Sequence, residues 1–154
     1  MPSPRRNPSP PPGPAPSAGG FSRWPWWRRW FGRRSERAAA RHLRKLGYRI
    51  VAANVADPAG ELDLIAVDGN TLVVVEVRST AGDDLEKTAA SVDLLKQRKI
   101  TDATVRFLAR KRLLEGVPVR FDVLVMSWPE GARAPTIQHF PHAFEAVGRF
   151  QMFS

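Results

Sequence analysis

The chain of 154 residues contains no cysteine. That absence excludes a disulfide scaffold, a zinc site built from thiolates and a cysteine nucleophile. Long hydrophobic runs are missing too: the densest, residues 72–75, has four residues, whereas a membrane span needs about 20. A secretory signal needs a continuous apolar segment, and the stretch after Arg6 is instead rich in proline. We therefore expect a cytoplasmic protein.

Acidic residues are absent from the first 35 positions, which hold seven of the 24 lysines and arginines. The formal net charge of +9 therefore belongs mostly to this segment, and the other residues carry only +2. Nine of the 14 prolines lie there as well. Such a composition buries too little apolar surface to offset the entropy of ordering. We predict a disordered tail over residues 1–34 and one globular domain over residues 35–154.

Four of the five tryptophans lie among arginines within residues 21–34. Aromatic faces beside cations suit nucleic-acid strands, through base stacking and phosphate contact, and they also suit an anionic membrane surface. We expect Trp24, Arg28 and Arg29 to contact nucleic acid. Binding to a membrane surface is one alternative, and a tail that orders only in contact with some partner is another.

Hydrophobic spacing and turn residues divide the remaining chain into helices and strands. Ser35 is the predicted N-cap of a first helix that ends at Gly47, and Asp68-Gly69-Asn70 is a strong hairpin signal. The continuous valines at 73–75 predict a strand buried on both faces. The predicted elements after the first helix are strands at 48–53, 61–67 and 71–78 with a turn at 57–60, a helix at 85–111, a strand at 119–126, and a short strand and helix within 137–153. The order αβββαβ predicts an α/β fold.

Acidic side chains occupy matching places on the two strands of this hairpin. Because side chains alternate across a strand, Glu61 and Asp63 share one side of the second strand, and Glu76 and Arg78 share one side of the third. A hairpin centred near residues 69–70 sets Asp63 opposite Glu76. Two carboxylates that close repel each other, and a hard divalent cation such as Mg²⁺ or Mn²⁺ relieves the repulsion. The pattern predicts a metal site with Glu61 in support.

The acids also have structural explanations, which for Glu61 and Asp63 are a solvated strand face or turn chemistry after Gly60. Glu76 lies between valines, where an unpaired carboxylate is costly, so an ion pair with Arg78 is the alternative to a metal. Glu36 shares a helix face with the apolar residues three, four and seven positions later, which favours a role as a further metal ligand. An acid in the first turn also stabilises the helix dipole, and this is the alternative for Glu36.

The second predicted helix is basic. Lys96 lies four residues from both Val92 and Ile100, so its amine can extend from the apolar stripe toward the carboxylates or simply reach water. We predict that Lys96, Arg98, Lys99 and Arg106 bind phosphates, with a solvated basic face as the alternative. His139 and His142 have no thiol or acid pair nearby in the sequence, which favours surface or packing roles.

The segments Gly60-Glu61-Leu62-Asp63-Leu64-Ile65 and Val75-Glu76-Val77-Arg78 resemble the YraN-like family, which is similar to the PD-(D/E)xK nuclease superfamily. The resemblance spans about residues 36–145. It implies a restriction-endonuclease-like core, a mixed sheet flanked by helices, and Mg²⁺-dependent cleavage of DNA or RNA. It also implies that Asp63 and Glu76 bind the metal and that Glu36 contributes through water.

The chain departs from that superfamily at Arg78, where the superfamily has lysine. An arginine stabilises negative charge, but it stays protonated and cannot exchange a proton with water. We therefore predict a catalytic set of Asp63, Glu76, Arg78 and Lys96, in which Lys96 substitutes for the missing lysine. A non-catalytic nucleic-acid-binding module on the same fold is the first alternative, and an adaptor that uses the tail is the second.

Overall fold

The computed structural model describes residues 34–128 and 130–148. In chain order its elements are α1 (Arg34–Lys45), β1 (Arg49–Asp57), β2 (Gly60–Asp68), β3 (Thr71–Thr80), α2 (Leu85–Ala90), α3 (Leu94–Arg110), β4 (Val119–Ser127) and β5 (Thr136–Phe144). Arg34, which we assigned to the tail, already belongs to α1. The rest of the predicted tail, with Trp24, Arg28 and Arg29, lies outside the described residues.

The five strands form one mixed sheet in the order β1-β2-β3-β4-β5. Strand pairs β1–β2, β2–β3 and β4–β5 are antiparallel, and β3–β4 is parallel. A parallel pair needs a crossover connection, and α2 and α3 lie in that connection. The predicted α/β class and the order αβββαβ are confirmed, and β5 adds an antiparallel edge strand.

Alternating side chains of the strands supply an apolar core on each face of the sheet. Ile65 and Val74 belong to the core beneath α3, which we call the α3 face. Leu64 and Val73 belong to the core beneath α1, which we call the α1 face. The valines of β3 are buried on both faces, as their continuous run predicts. None of the helices in the described ranges has the length and apolar character that a membrane span requires.

Two predicted turns fix the ends of the elements. Gly69 has φ 60° in the two-residue turn between β2 and β3, where Asp68 pairs with Thr71. Gly47 follows α1 with φ 90°, a conformation that glycine adopts without the steric penalty of other residues. The hairpin and the end of the first helix are therefore where the sequence predicts them.

The predicted helix over 85–111 is in fact two helices. The side chain of Asp93 accepts the N–H of Lys96 at 2.8 Å and caps α3. Buried Val92 continues the apolar spacing across the break, so periodicity alone merged α2 with α3. Ser35 lies inside α1 instead of capping it, and its hydroxyl contacts Ser79 and Trp128. Residues 145–148 are not helical, and the rest of the predicted final helix lies outside the described residues.

Candidate metal and nucleic-acid site

Strands β2 and β3 separate near the start of β2 and the end of β3. The backbone ladder between β2 and β3 runs from the turn to the pair Leu64–Val75. Beyond this pair, the start of β2 stays paired with β1, while the end of β3 stays paired with β4. The fork between the two strands therefore begins at Asp63 and Glu76, the next residues on each strand.

The side chains of Asp63 and Glu76 meet in this fork. Oδ2 of Asp63 accepts the backbone N–H of Val77 at 2.9 Å, so the carboxylate satisfies a donor of β3 beyond the ladder. The carboxyl groups of Asp63 and Glu76 also lie close enough for each to change the pKa of the other. Glu76 alternates in phase with Val74 and lies beside Lys96 of α3, so the carboxyl pair is on the α3 face.

Both carboxyl groups hold protons more tightly than usual. Burial, and then the negative charge of Asp63, raises the pKa of Glu76 to about 7, although Lys96 and Arg78 act in the opposite direction. Burial also raises the pKa of Asp63, against the effect of the Val77 N–H. Near neutral pH, such a pair of carboxyl groups shares one proton unless a metal cation takes the place of that proton.

Two cationic side chains approach the same oxygen of Glu76. Nζ of Lys96 lies 3.4 Å from Oε1, and Nε of Arg78 lies 3.6 Å from it. Lys96 reaches the fork from the first turn of α3. Gly60 lets this helix lie close to β2, because a Cβ on Gly60 would come within 3.2 Å of the carbonyl oxygen of Lys99.

The paired carboxylates fit the chemistry of a divalent metal. Mg²⁺ commonly takes one or two protein carboxylates and completes its shell with water and substrate phosphate. Burial and the charge of Asp63 both disfavour the charged form of Glu76 and raise its pKa to about 7, and a bound divalent cation would favour that charged form. Across residues 34–128 and 130–148, no three histidine, aspartate or glutamate side chains converge as a complete ligand set.

The other two predicted ligands, Glu61 and Glu36, differ in their exposure. Glu61 is exposed, and its charge raises the pKa of Asp63 through space. Glu36 is buried in the first turn of α1, the helix that covers the α1 face. Within the predicted set of four acids, Asp63 and Glu76 meet at the fork, Glu61 acts on Asp63 at longer range, and the role of Glu36 as a ligand stays a prediction.

The basic residues of α3 fall into two groups. Nε of Arg106 lies 2.8 Å from Asp57, and Arg110 binds the other oxygen of the same carboxylate at 2.6 Å. Arg106, which we predicted to bind nucleic acid, therefore joins α3 to the end of β1. Arg98 and Lys99 are exposed near the start of the helix. Among these basic residues of α3, Lys96 is the one that contacts Glu76 in the fork.

A second polar cluster, which no pattern in the sequence predicted, lies on the α1 face. Asp122 of β4 is fully buried and binds Arg120 through both oxygens, at 2.8 and 2.9 Å. Nε2 of His139 lies 2.7 Å from Asp122, and Arg120 also reaches Tyr48 and Asp68. An acid inside an apolar strand was the available signal, since the same reasoning singled out Glu76.

This cluster holds its carboxylate in the charged form. Burial by itself raises the pKa of Asp122, but hydrogen bonds with His139 and Arg120 outweigh burial and lower the pKa. The N–H of His142 also donates to Asp122, at 3.1 Å. The charged and polar groups of the cluster are hydrogen-bonded to one another, and they connect β4 to β5 and to the end of β2. The cluster therefore stabilises the fold. His139, for which we predicted a surface or packing role, makes a hydrogen bond with buried Asp122 in this cluster.

Comparison with known proteins assigns the chain to a family. Residues 35–126, from α1 to β4, match the uncharacterised protein family UPF0102. The chain belongs to this family. A UPF0102 protein of Rhodopirellula baltica is 43% identical over 120 residues, which cover 76% of the chain and 71% of that relative. UPF0102 membership confirms the YraN-like resemblance, and the matched region contains Asp63, Glu76 and Lys96.

Other UPF0102 relatives match a similar part of the chain. A protein of Geobacter sulfurreducens is 43% identical over 118 residues, with 74% of the chain and 88% of the relative covered. A protein of Xylella fastidiosa is 42% identical over 113 residues, with 73% of the chain and 89% of the relative covered. The similarity to UPF0102 proteins therefore extends over nearly the whole length of these two relatives.

Proposed function

We propose that the chain is a metal-dependent nuclease that hydrolyses phosphodiester bonds of DNA or RNA in the cytoplasm. The observation that carries the proposal is the contact between Asp63 and Glu76 at the fork of β2 and β3. A buried acid pair that favours a cation, beside Lys96 and the exposed basic residues of α3, suits a phosphate ester as substrate.

Each residue has a role in this hydrolysis. Asp63 and Glu76 would hold Mg²⁺ or Mn²⁺, which supplies charge neutralisation at the phosphoryl group and activation of water. Lys96 and Arg78 present positive charge where the phosphoryl oxygens become more negative. The oxygen of water bonds to phosphorus as the bond from phosphorus to one ester oxygen breaks. One proton of the water passes to that leaving oxygen, and the other stays with the new phosphate monoester.

In this proposal Lys96 performs the role of the superfamily lysine on the strand, which is to stabilise negative charge on the phosphoryl oxygens. Its ammonium is a compact charge, whereas the guanidinium of Arg78 is planar and remains protonated. Lys96 and Arg78 both lie within 3.6 Å of the same oxygen of Glu76. The lysine of α3 therefore lies beside the arginine that replaces the superfamily lysine on β3.

The experiment compares the full chain with two aspartate variants on labelled single-stranded and duplex DNA and RNA. Asp63→Asn preserves the size of the side chain and removes its charge, and Asp83→Asn changes an exposed acid after β3. We expect cleavage with Mg²⁺ or Mn²⁺, none with a chelator, and loss of cleavage in Asp63→Asn alone. Cleavage that persists in Asp63→Asn contradicts the proposal, as does the absence of cleavage by the folded wild type.

A non-catalytic nucleic-acid-binding module is the second candidate, and the observation that favours it is Arg78. Its guanidinium lies 3.6 Å from Glu76, so the acid has a permanent positive partner that does not depend on a metal. Salt-dependent binding of nucleic acid without cleavage, unchanged by a chelator, would support this module over the nuclease.

A further inference from the structure

Leu94 and Leu95 are the most exposed large apolar side chains in the described part of the chain, at 70% and 62% exposure. They occupy the first turn of α3. The helix turns Lys96 toward Glu76 and Ile100 into the core, so the two leucines before them point away from the sheet. Because both leucines are exposed, their side chains bury little apolar surface against the core of this domain.

Positive charge borders the leucine pair. Arg98 lies one helical turn after Leu94, and Lys99 lies one turn after Leu95. Both cations are exposed. The acid just before the pair, Asp93, is engaged as the helix cap. A partner that covers this surface therefore combines apolar faces with negative charge, as nucleic acid does through its bases and phosphates.

We propose that Leu94 and Leu95 form an apolar wedge that contacts unpaired bases beside the phosphate that the site at Asp63 and Glu76 would cleave. This inference rests on the proposed function for the position of the phosphate. Leucine is among the side chains that proteins insert between base steps, at a cost in lost stacking. That cost is smallest where bases are already unpaired. The preferred substrate is accordingly a nucleic acid in which a duplex meets a single strand.

The test measures binding by the full chain with a chelator present, so that nothing is cleaved. The ligands are a blunt duplex and a forked duplex of the same paired length, with 2-aminopurine at the first unpaired position of the fork. The double variant Leu94→Ser/Leu95→Ser is compared with Leu114→Ser, which changes an exposed leucine beyond the other end of α3.

We expect wild type and Leu114→Ser to bind the fork about tenfold more tightly than the blunt duplex, which corresponds to about 1.4 kcal/mol. The double variant is expected to lose this preference while its affinity for the blunt duplex stays unchanged, because its cations remain. The 2-aminopurine signal should change on binding of wild type and not of the double variant.

Several results would overturn the wedge. One is an unchanged preference for the fork in the double variant, and another is wild-type protein that binds no nucleic acid. Self-association or vesicle binding that depends on the leucines, with equal binding of fork and duplex, would assign the surface to a second copy or a membrane. Leucine-dependent fork binding without cleavage would contradict the hydrolysis alone. Asp63-dependent cleavage without leucine-dependent preference would contradict the wedge alone.

Discussion

Lys96 places its ammonium nitrogen 3.4 Å from Oε1 of Glu76, and the two residues come from different layers of the fold. The glutamate belongs to the central strand β3, and the lysine belongs to the helix that covers it. Arg78, two residues after Glu76 on the same strand, approaches the same oxygen from a slightly greater distance. The candidate site thus has two cations of different chemistry, and substitutions separate their roles.

Lys96→Met is expected to lower the rate of metal-dependent cleavage about 10²–10³-fold, the loss typical when one charge-stabilising donor is removed. Arg78→Met should have a smaller effect, because the ammonium of Lys96 remains. Lys45→Met, which changes an exposed lysine at the end of α1, should leave the rate within about twofold in the same assay. If Lys96→Met cleaves normally while Arg78→Met is inactive, Lys96 does not substitute for the superfamily lysine.

Glu76→Gln is expected to stabilise the metal-free protein at pH 8. Burial and the charge of Asp63 raise the pKa of Glu76 to about 7, so its charged form destabilises the native state. Neutral glutamine removes this effect, and about 1 kcal/mol corresponds to a rise in Tm of roughly 4 °C for a domain of this size. The same variant should lose the increase in Tm that Mg²⁺ or Mn²⁺ gives wild type.

The matched control for this measurement is Glu61→Gln, which changes the exposed acid near Asp63. It should keep most of the metal-induced rise in Tm. A full metal-induced rise in Glu76→Gln would show that the metal binds elsewhere.

Asp57 is expected to make stability fall in acid. Its burial raises its pKa, but the N–H of Ala59 and the guanidinium groups of Arg110 and Arg106 outweigh this and lower the pKa to about 2, from 3.8. A carboxyl with a lowered native pKa stabilises the fold above the unfolded value, and this contribution disappears as pH falls from about 4 to 2. Urea unfolding across pH 2–6 should show a shallower dependence for Asp57→Asn. Asp83→Asn should follow wild type, and a superimposable curve for Asp57→Asn would refute the assignment.

Asp122→Ala is expected to cost about 3–5 kcal/mol of unfolding free energy, as loss of one partner from a buried ion pair does. The substitution leaves Arg120 and His139 without the carboxylate that both contact. Asp68→Ala removes a more exposed partner of Arg120 and should cost about 1 kcal/mol or less. Urea denaturation measures both, and a cost for Asp122→Ala as small as that for Asp68→Ala would show that the cluster adds little stability.

Most strands follow from short stretches of sequence. The valines of β3 predict burial on both faces because no polar residue alternates with them, and Gly69 predicts the two-residue turn. These two facts also set Asp63 opposite Glu76, since a hairpin turn fixes its own register. Hydrophobic spacing did not predict the break before α3, because apolar residues continue at helical spacing through it. Asp93 is a residue type that commonly caps helices, and it does cap α3.

By itself, the sequence determined the hairpin and the acid pair, because alternation and turn geometry act between neighbouring residues. Only the tertiary structure decided which partners reach those acids from elsewhere in the chain. The sequence left two destinations for the amine of Lys96, the carboxylates or water, and the packing of α3 over the fork places the amine beside Glu76. His139 meets Asp122 because β5 pairs with β4, and no local pattern specifies that pairing. Contacts between distant elements depend on how whole layers pack, and that is a property of the folded chain.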